Sequence, residues 1–426
     1  MDYASARAVL DRLPTLEVKP GLDRVGRLLD GLGHPERAYP AVHVAGTNGK
    51  GSVVAMLDAV LRCAGRSVGR FTSPQVVDFR DRVVVDGEWL SEDEWAAGVD
   101  RLAPLLASME DRPAQFEAIT ALTLDAFARH AVDVAVVEVG LGGRFDATNL
   151  VRPILTILTN VDLDHTALLG DSVEAIAWEK VGIAKAGVPL LVGPLVKGPL
   201  AIARRECEAV GAEFVLCDGV SLERVSEIDG VCRYRVGGDG LPEAIDLPLL
   251  GGYQAGNLRM VLRAVQLLRD WGVDLPSRAV EDGLRTVSWP GRFEIVRTAP
   301  TVILEGAHNV AGAIALAADI AHRVPDPAGS VLVFAALADK DVSGMLRALA
   351  PHFGRVILTR SASPRALSVD RLAAIARALG IPFTCYDSVE GVLADALGEG
   401  APEDVWVVAG SLTVVAEARR WLEETG

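Results

Sequence analysis

The sequence lacks any hydrophobic run long enough to cross a membrane. Gly, Pro, Asp and Arg interrupt every apolar stretch before the roughly 20 residues that a bilayer span requires. The first 13 residues also lack the basic start and continuous apolar core of a signal peptide, because Asp2, Arg7, Asp11 and Arg12 are scattered among them. Both absences predict that the protein has no membrane partner.

Cysteine and positive charge are also scarce. The five cysteines are odd in number, and no two have the spacing of a zinc or redox motif, which argues against a disulfide framework and favours a reducing cytoplasm. The formal net charge of −15 disfavours nucleic acid, whose phosphates would be repelled. Small anionic ligands remain compatible with this charge, because backbone N–H groups can bind them locally.

Lysine is the rarest of the charged residues, since it occurs only at positions 19, 50, 180, 185, 197 and 340. Arginine supplies most of the positive charge instead. A lysine retained in such a chain is a candidate for a role that the planar guanidinium cannot fill.

What is present is a repeated alternation of short β-branched runs with helical patterns. A length of 426 residues predicts two or three domains, and the alternation predicts α/β units around mostly parallel sheets. The predicted helices are Ser52–Ala64, Ala118–His130 and Tyr253–Leu268. The predicted strands are Ala41–Ala45, Ser67–Phe71, Val132–Val139, Ile154–Leu158, Pro189–Val192, Thr301–Leu304, Val331–Phe334, Arg355–Leu358, Phe383–Tyr386 and Val405–Val408.

The pattern changes twice along the chain. Glu213–Cys217 and Cys232–Val236, separated from Leu247 by a Gly-rich stretch, predict a small antiparallel patch at the edge of the first domain. Ser288–Arg292 then marks a boundary, after which a second strand–helix series begins. We therefore predict a larger domain over residues 1–295 and a smaller one over 296–426, with the ligand site in the cleft between them.

The strongest local motif is a glycine-rich loop, Ala45–Ser52, between a strand and a helix. Its glycines allow backbone N–H groups to surround an anion, the helix N-terminus adds positive potential, and Lys50 adds a charge. The first glycine, Gly46, lies only three residues before Gly49, so the spacing differs from the standard Walker A motif. The alternative, a glycine-rich turn with a solvated lysine, explains less of the pattern.

Three other predicted strands end in polar residues with metal-binding chemistry. Ser73 could place a hydroxyl on Mg²⁺, although Ser before Pro is more often a turn or cap. Glu138 ends an apolar run, where a carboxylate must be paired, protonated or metal-bound, and pairing with Arg144 is the alternative. His165 is a less usual Mg²⁺ ligand, so Mn²⁺ could also serve. Farther along, Glu179 and Lys180 lie on a predicted helix, where a solvated surface pair is the simpler interpretation.

In combination, these segments resemble the folylpolyglutamate synthase/dihydrofolate synthase family of the Mur ligase superfamily. The resemblance runs through most of the chain in the family's order. Its residues are Ala45–Ser52, Thr72–Pro74, Phe116-Glu117 with Thr120, Glu138–Asn149, Asp164–Thr166, Glu179–Ile183, Pro290–Arg292, Ala307–Asn309 and Asp339–Asp341.

The resemblance implies an ATP-dependent ligase that joins L-glutamate to a folate, to dihydropteroate or to both, through an acyl phosphate. It implies a P-loop-type N-terminal ATPase domain and a Rossmann-like C-terminal domain, and a monomer is the default. Implied nucleotide contacts are Thr47, Asn48, Gly49, Lys50, Gly51, Ser52, Asn257, Arg292 and Glu305. Implied Mg²⁺ ligands at two sites are Ser73, Glu138, His165 and a carbamylated Lys180. Implied folate or pteroate contacts are Arg82, Phe116, Glu117, Phe145, Asp146 and Ala147, while Lys50, Lys180 and His308 are implied at the reacting centre.

The chain departs from the family pattern at four places. Gln75 stands where the family usually has His, Glu305 where it has Asp, Val310 where it has Pro, and Asp81 where it has Glu. The alternatives are a Mur-type ligase for a different carboxylate, and a nucleotide-binding protein or ATPase without ligase activity.

Overall fold

The structure is a computed structural model that describes residues 1–15, 21–324, 327–398 and 400–425. Its strands are β1 (Ala41–Ala45), β2 (Val68–Phe71), β3 (Val83–Val85), β4 (Glu88–Trp89), β5 (Val134–Glu138), β6 (Pro153–Leu158), β7 (Pro189–Val192), β8 (Glu213–Leu216), β9 (Ser221–Ile228), β10 (Val231–Gly237), β11 (Ala244–Leu247), β12 (Glu294–Thr298), β13 (Thr301–Glu305), β14 (Ser330–Phe334), β15 (Arg355–Leu358), β16 (Thr384–Cys385) and β17 (Val405–Ala409).

The helices alternate with these strands along most of the chain. They are α1 (Tyr3–Asp11), α2 (Asp23–Gly31), α3 (Lys50–Cys63), α4 (Glu92–Ser108), α5 (Gln115–Arg129), α6 (Thr166–Leu169), α7 (Val173–Val181), α8 (Lys197–Val210), α9 (Gln254–Asp270), α10 (Ser277–Thr286), α11 (Val310–Arg323), α12 (Val342–Leu349), α13 (Val369–Ala378), α14 (Val389–Gly391) and α15 (Leu412–Thr425). Within the described residues, no helix has the length and apolarity needed to span a bilayer.

An eight-stranded sheet forms the first part of the molecule. Its strand order is β4-β3-β2-β5-β1-β6-β7-β8, in which β3 pairs antiparallel with both β2 and β4 and the other neighbouring strands pair in parallel. The central strands β1 and β5 are buried along their whole length, because helices cover both faces of the sheet. This confirms the mostly parallel α/β sheet expected from the apolar, β-branched runs.

The antiparallel patch exists, but its membership differs from the prediction. Glu213–Leu216 pairs in parallel with β7 and is the edge strand of the large sheet. The antiparallel sheet is instead β11-β10-β9, in which β9 is largely exposed and its alternation of apolar and polar residues is weak. Because Gly-rich turns flank both segments, the sequence did not separate the last parallel strand from the first antiparallel one.

A six-stranded sheet forms the C-terminal part, in the order β12-β13-β17-β14-β15-β16. Only β12 runs antiparallel, and the five other strands are parallel. Strand β12 contains the predicted boundary between residues 295 and 296, so the division into domains at that point stays a prediction.

The carboxyl ends of the parallel strands in the two sheets face one another. The segment after β1 contacts the segment after β13 through Asn48 and Asn309, whose side-chain amides lie 2.9 Å apart. The segment after β6 contacts the segment after β14 through Asp164 and Lys340. Ligands of open parallel sheets bind at these ends, so the fold brings two such edges to one cleft.

The close packing of α10 on α3, in the core beneath this cleft, can be tested by substitution. A Cβ at Gly283 in α10 would lie 2.7 Å from the backbone Cα of Val60 in α3. We expect Gly283→Ala to lower the free energy of unfolding by about 1–3 kcal/mol, because backbone atoms of α3 cannot easily move aside. Urea denaturation followed by circular dichroism measures this change.

Gly256→Ala in α9 is the matched control. No atom lies within 4 Å of the Cβ position at Gly256, so the better helix propensity of alanine should add up to about 1 kcal/mol. Equal effects of the two substitutions would contradict the close contact between α10 and α3.

Candidate active site

The glycine-rich loop lies where the sequence predicted it, between β1 and α3. Gly49 is the N-cap of α3 and has a φ of 84°, a left-handed conformation that glycine adopts without strain. Asn160, after β6, accepts a hydrogen bond from the backbone N–H of Asn48 at 2.8 Å. The Thr159 hydroxyl donates to the carbonyl oxygen of Asn48 at 2.6 Å. Two neighbouring strands therefore fix the shape of the loop.

The side chain of Lys50 lies over this loop. Its Nζ donates to the carbonyl oxygens of Gly46 at 3.1 Å and Thr47 at 3.3 Å, and it lies 3.9 Å from Oε1 of Glu138. An ammonium group held at the loop by main-chain acceptors can also donate charge-assisted hydrogen bonds to a phosphate there. The geometry therefore matches the anion-binding role predicted for the loop.

Two residues of α9 pack behind the loop. The amide of Gln254 donates to the Ser52 hydroxyl at 3.3 Å and accepts a hydrogen bond from Asn257 at 2.8 Å. The side-chain oxygen of Asn257 in turn lies against the Cα of Gly49. Asn257 was predicted to contact the nucleotide, and the structure places it beside the loop.

The indole of Trp289 covers the first turn of α3. A Cβ on Gly51 would lie 2.6 Å from this ring, so the two groups are in direct contact. Trp289 belongs to the segment that joins α10 to the six-stranded sheet. The connection between the two sheets therefore touches the phosphate loop.

Glu138 ends β5 and points into the same region. Its side chain is only 6% exposed, and its Oε2 accepts the backbone N–H of Ser73 at 3.2 Å. Burial raises the pKa of Glu138, while the charge of Lys50 and the Ser73 hydrogen bond lower it. The alternative pairing with Arg144 is wrong, because Arg144 binds Glu206 at 2.6 Å and stacks on Trp178.

Lys180 is buried, so the interpretation of Glu179 and Lys180 as a solvated surface pair is wrong. Lys180 lies on α7 with 5% of its surface exposed, and its Nζ donates to the carbonyl oxygen of Gly46 at 3.0 Å. Burial lowers the pKa of Lys180 to about 7, and the charge of Lys50 acts in the same direction. At neutral pH about half of such a lysine is a neutral amine.

His165 lines the same pocket as Lys50. It has a φ of 49°, and its Nε2 is 3.2 Å from Nζ of Lys340. Burial and the charge of Lys340 lower the pKa of His165 to about 4, so the ring is neutral at pH 7. A neutral imidazole is the form that binds metals.

Asp164 connects the two sheets more extensively than any predicted site residue. Its carboxylate accepts hydrogen bonds from Lys340 at 2.5 Å and Asn309 at 3.1 Å, and it lies 3.6 Å from Nε2 of His308. Burial alone would raise the pKa of Asp164, but His308 and the charge of Lys340 hold it well below its ordinary value. We call Asp164, His308, Asn309 and Lys340 the intersheet cluster.

One pocket joins most of these groups, with a volume of about 320 Å³ that includes its open mouth. Its lining comes from the phosphate loop, the segment after β5, α7 and the intersheet cluster: Gly46, Thr47, Lys50, Val139, Gly140, Leu141, Gly142, Asp164, His165, Lys180 and His308. Glu138 and Ser73 contact each other next to Lys50, whereas His165 contacts Lys340. In the part of the chain that the structure describes, no three His, Cys, Asp or Glu residues are grouped as ready metal ligands.

Several residues predicted to contact the folate are held by the protein itself. Glu117 is buried and binds Arg24 at 3.0 Å. The Asp146 carboxylate is buried and accepts hydrogen bonds from Thr148 and from the backbone N–H of Leu141 at 2.8 Å, so it shapes the segment after β5. These contacts favour roles in which both carboxylates position neighbouring protein groups over roles in which they contact the folate directly.

The aromatic residues of that set are placed differently. Phe116 stacks on Phe71 with 5.8 Å between ring centroids, and its ring also contacts Gly140 beside the pocket. Phe145 is 46% exposed, and Ala147 is buried. Among the predicted folate contacts, Phe116 therefore has its ring beside the pocket, and Phe145 has an apolar surface exposed to solvent.

Glu305 and Arg292 lie at the connection to the six-stranded sheet. The Glu305 carboxylate is buried and accepts hydrogen bonds from the Tyr253 hydroxyl at 2.7 Å and the Phe293 N–H at 2.8 Å. The charge of Arg292 lowers the pKa of Glu305 and that of Glu138, although burial raises both. Arg292 thus faces both carboxylates, whereas Glu305 is engaged within the protein and favours a structural role over nucleotide contact.

Sequence reasoning did not assign a role to Asp164 or Asn309. Both lie in segments that come after predicted strands and that carry the family resemblance, Asp164–Thr166 and Ala307–Asn309, and this was the available signal. Their pairing joins residues 145 positions apart, so it depends on how the two sheets face each other.

Residues 291–412 match the Mur ligase, glutamate ligase domain family. The chain is 39% identical over 383 residues to the dihydrofolate synthase/folylpolyglutamate synthase of Mycobacterium tuberculosis, covering 85% of this chain and 78% of that protein. The solved structure of M. tuberculosis folylpolyglutamate synthase complexed with ADP and AMPPCP has a TM-score of 0.88 and 34% identity, over 99% of both chains. The structure of E. coli FolC in complex with DHPP and ADP has a TM-score of 0.87 and 29% identity, over 100% of this chain and 98% of that one.

The intersheet cluster generates a prediction about stability. Lys340→Met should lower the free energy of unfolding by about 3 kcal/mol, because it leaves the Asp164 carboxylate buried without its closest cation. Arg365→Gln is the control, since Arg365 is 47% exposed and pairs with Asp339, so its loss should be below about 1 kcal/mol. Urea denaturation measures both, and an equally small loss for Lys340→Met would contradict the anchoring role of Asp164.

Proposed function

The chain belongs to the folylpolyglutamate synthase/dihydrofolate synthase family, and we propose that it joins L-glutamate to tetrahydrofolate, to dihydropteroate or to both. The reaction uses ATP and passes through an acyl phosphate. The observation that carries this proposal is one pocket lined by the phosphate loop with Lys50, by buried Lys180 and by His308 of the glutamate ligase domain. Phosphate, metal and amine chemistry would therefore share one cleft.

ATP binding is supported from two directions. Structures of relatives are named as complexes with ADP and AMPPCP, and they superpose on nearly all of this chain. In this chain, the loop N–H groups, the N-terminus of α3 and Lys50 form an anion site at the end of β1. Asn257 and Arg292 are the proposed contacts from α9 and from the connection to the second sheet.

A divalent cation, Mg²⁺ or Mn²⁺, fits the residues near Lys50. Glu138 offers a buried carboxylate whose one described hydrogen bond comes from the Ser73 backbone N–H, and Ser73 also carries a hydroxyl. His165 offers a neutral imidazole in the pocket that Lys50 also lines. Ser73, Glu138 and His165 would hold the ion, and its chemistry is to neutralise phosphate charge during transfer.

Lys180 is the proposed site of carbamylation and of a second cation. Carbon dioxide adds to a neutral amine, and the pKa of about 7 makes Lys180 partly neutral at physiological pH. The carbamate would replace a buried cation by an anion beside Lys50, and it would supply oxygen ligands that lysine lacks. Asp162 lies close enough for the Lys180 charge to lower its pKa, although burial raises it.

The chain's own residues then account for the steps of amide formation. Lys50 and the loop N–H groups hold the β- and γ-phosphates while the substrate carboxylate attacks the γ-phosphoryl group. The intersheet cluster holds the second sheet against the first and keeps water from the acyl phosphate. We propose that His308 orients the glutamate amine, which attacks the acyl carbon, loses a proton and displaces inorganic phosphate as the amide bond forms.

The domain division at residue 295, the monomeric state and the cytoplasmic location belong to the same proposal. The family match over residues 291–412 supports a separate glutamate ligase domain near the proposed boundary. The alternative of a different carboxylate substrate is separated from the proposal by the assay below.

The decisive experiment offers ATP, Mg²⁺ and L-glutamate together with either dihydropteroate or tetrahydrofolate. Mass spectrometry should detect a product heavier by one or more glutamyl residues with at least one of the two substrates, and one ADP should form per amide. No glutamylated product from either substrate would overturn the proposed function.

Lys50→Ala should lower kcat by about 10²–10³-fold, because it removes the cation nearest the transferring phosphate. The matched control is Lys197→Ala, which removes an exposed lysine at the start of α8. Circular dichroism should show both variants folded, and full turnover by Lys50→Ala would contradict the phosphate-binding role.

Lys180→Ala should reduce turnover strongly, and added acetate should restore part of it by supplying a carboxylate in the vacated space. In the unsubstituted protein, ¹³C-bicarbonate should give a carbamate resonance in the ¹³C NMR spectrum that is missing in Lys180→Ala. Lys185→Ala is the control, since Lys185 binds Asn149 and lies outside the pocket. A spectrum without the resonance would contradict carbamylation.

A further inference from the structure

The start of α9 lies between the phosphate loop and the C-terminal part of the molecule. On the side of the loop, the Gln254 amide donates to the Ser52 hydroxyl at 3.3 Å. The side-chain oxygen of Asn257 lies against Gly49. Gln254 is fully buried and Asn257 is 9% exposed, so packing fixes both side chains. We call this segment the α9 turn, and its residues are Gly252, Tyr253, Gln254 and Asn257.

The C-terminal part of the molecule holds the same turn with two carboxylates. Asp319, on α11, accepts the backbone N–H of Gly252 at 2.7 Å, and a Cβ at Gly252 would lie 3.1 Å from its Oδ1. Glu305, at the end of β13, accepts the Tyr253 hydroxyl at 2.7 Å. Negative charge is favourable beside a helix N-terminus, because the unpaired N–H groups there give a positive potential. The α9 turn is therefore bound to both parts of the molecule at once.

Helix α11, which carries Asp319, is itself fixed at both ends. Its N-cap, Asn309, belongs to the intersheet cluster. Near its C-terminus, Arg323 pairs with Glu227 of β9, with Nη2 2.6 Å from Oε2. Asp319 and Arg323 are four residues apart, so they project from the same face of the helix. A displacement of α11 relative to the eight-stranded sheet would therefore change the contact between Asp319 and Gly252.

Hydrogen bonds join the residues of the α9 turn to one another. The N–H of Asn257 donates to the carbonyl oxygen of Tyr253 at 3.4 Å. The side-chain amide of Asn257 donates to that of Gln254 at 2.8 Å. The backbone connects Gly252 to Gln254 through one intervening residue. Loss of the Asp319 carboxylate would therefore leave the Gly252 N–H without this acceptor and let Gln254 shift away from the loop.

We propose that Asp319 is a positioning residue for ATP, which acts through the α9 turn to hold Gln254 and Asn257 against the phosphate loop. This inference rests on the proposed function, in which that loop binds the ATP phosphates. The effect of Asp319 on ATP is indirect, because its contact is with the Gly252 N–H. The loop would bind phosphate most tightly when α11 occupies the place described here, which couples the position of the C-terminal part to nucleotide affinity.

Isothermal titration calorimetry with ADP and Mg²⁺ tests the positioning role without turnover. Asp319→Ala should raise the Kd for ADP by about 5- to 20-fold, within the usual range of coupling between two sites. Asp319→Asn keeps an acceptor for the Gly252 N–H but loses the charge, so its effect should be smaller. In the glutamylation assay, Asp319→Ala should raise the KM for ATP, while kcat and the KM for L-glutamate change less than about threefold.

A double-mutant cycle with Gln254→Met tests the path between Asp319 and the loop. Methionine keeps the length of the Gln254 side chain but removes the amide that binds Ser52. In this background, Asp319→Ala should raise the Kd for ADP by less than about twofold, because the link from the α9 turn to the loop is already lost. Asp2→Ala is the matched control and should leave the Kd unchanged, since Asp2 caps α1 by accepting the Ser5 N–H at 2.8 Å and lies outside the pocket.

An unchanged Kd for ADP in both Asp319 variants would overturn the positioning role. An equal rise in Asp2→Ala, or an effect of Asp319→Ala at full size in the Gln254→Met background, would also overturn it. If circular dichroism shows that Asp319→Ala is unfolded, Asp319→Asn takes its place in the cycle. Failure of the unsubstituted protein to bind ADP would overturn the ATP site and the positioning role together. Any of the earlier results from a protein that still glutamylates its substrate removes the positioning role and leaves the proposed function intact.

Discussion

The arrangement of the cleft depends on one buried carboxylate. Asp164, at the end of the eight-stranded sheet, pairs with Lys340 at the end of the six-stranded sheet, and Asn309 completes its hydrogen bonds. An ion pair buried this deeply gains its stability only when both partners and their hydrogen bonds are in place. A few polar atoms therefore fix the orientation of the two sheets relative to each other. The pocket with Lys50, Lys180 and His308 depends on that orientation.

A second constraint concerns charge. Lys50 and Lys180 both donate to the carbonyl oxygen of Gly46, which places two ammonium groups near one oxygen. Burial, and after it the charge of Lys50, lower the pKa of Lys180. The proposed function gives these two lysines different roles, Lys50 as a phosphate cation and Lys180 as a reactive amine.

Much of the fold was predictable from sequence because buried parallel strands leave a clear pattern. Pro189–Val192 and Arg355–Leu358 were predicted to the residue, and the loop Ala45–Ser52 was placed correctly between strand and helix. The sheet to which Glu213–Leu216 belongs was not predictable, because the sequence of a short edge strand is similar in parallel and antiparallel sheets. The helical pattern around Lys180 did not predict its burial, which only the family resemblance implied, since an isolated helical segment does not reveal which of its faces is buried.

The contact between Trp289 and Gly51 has a mechanical consequence. The indole lies at the point where the chain leaves one sheet for the other, and it rests directly on the first turn of the helix that holds the phosphate loop. A rotation of the six-stranded sheet about this segment would press the ring against that turn or separate the two. The position of the second sheet and the shape of the phosphate loop are thus mechanically coupled through one aromatic contact.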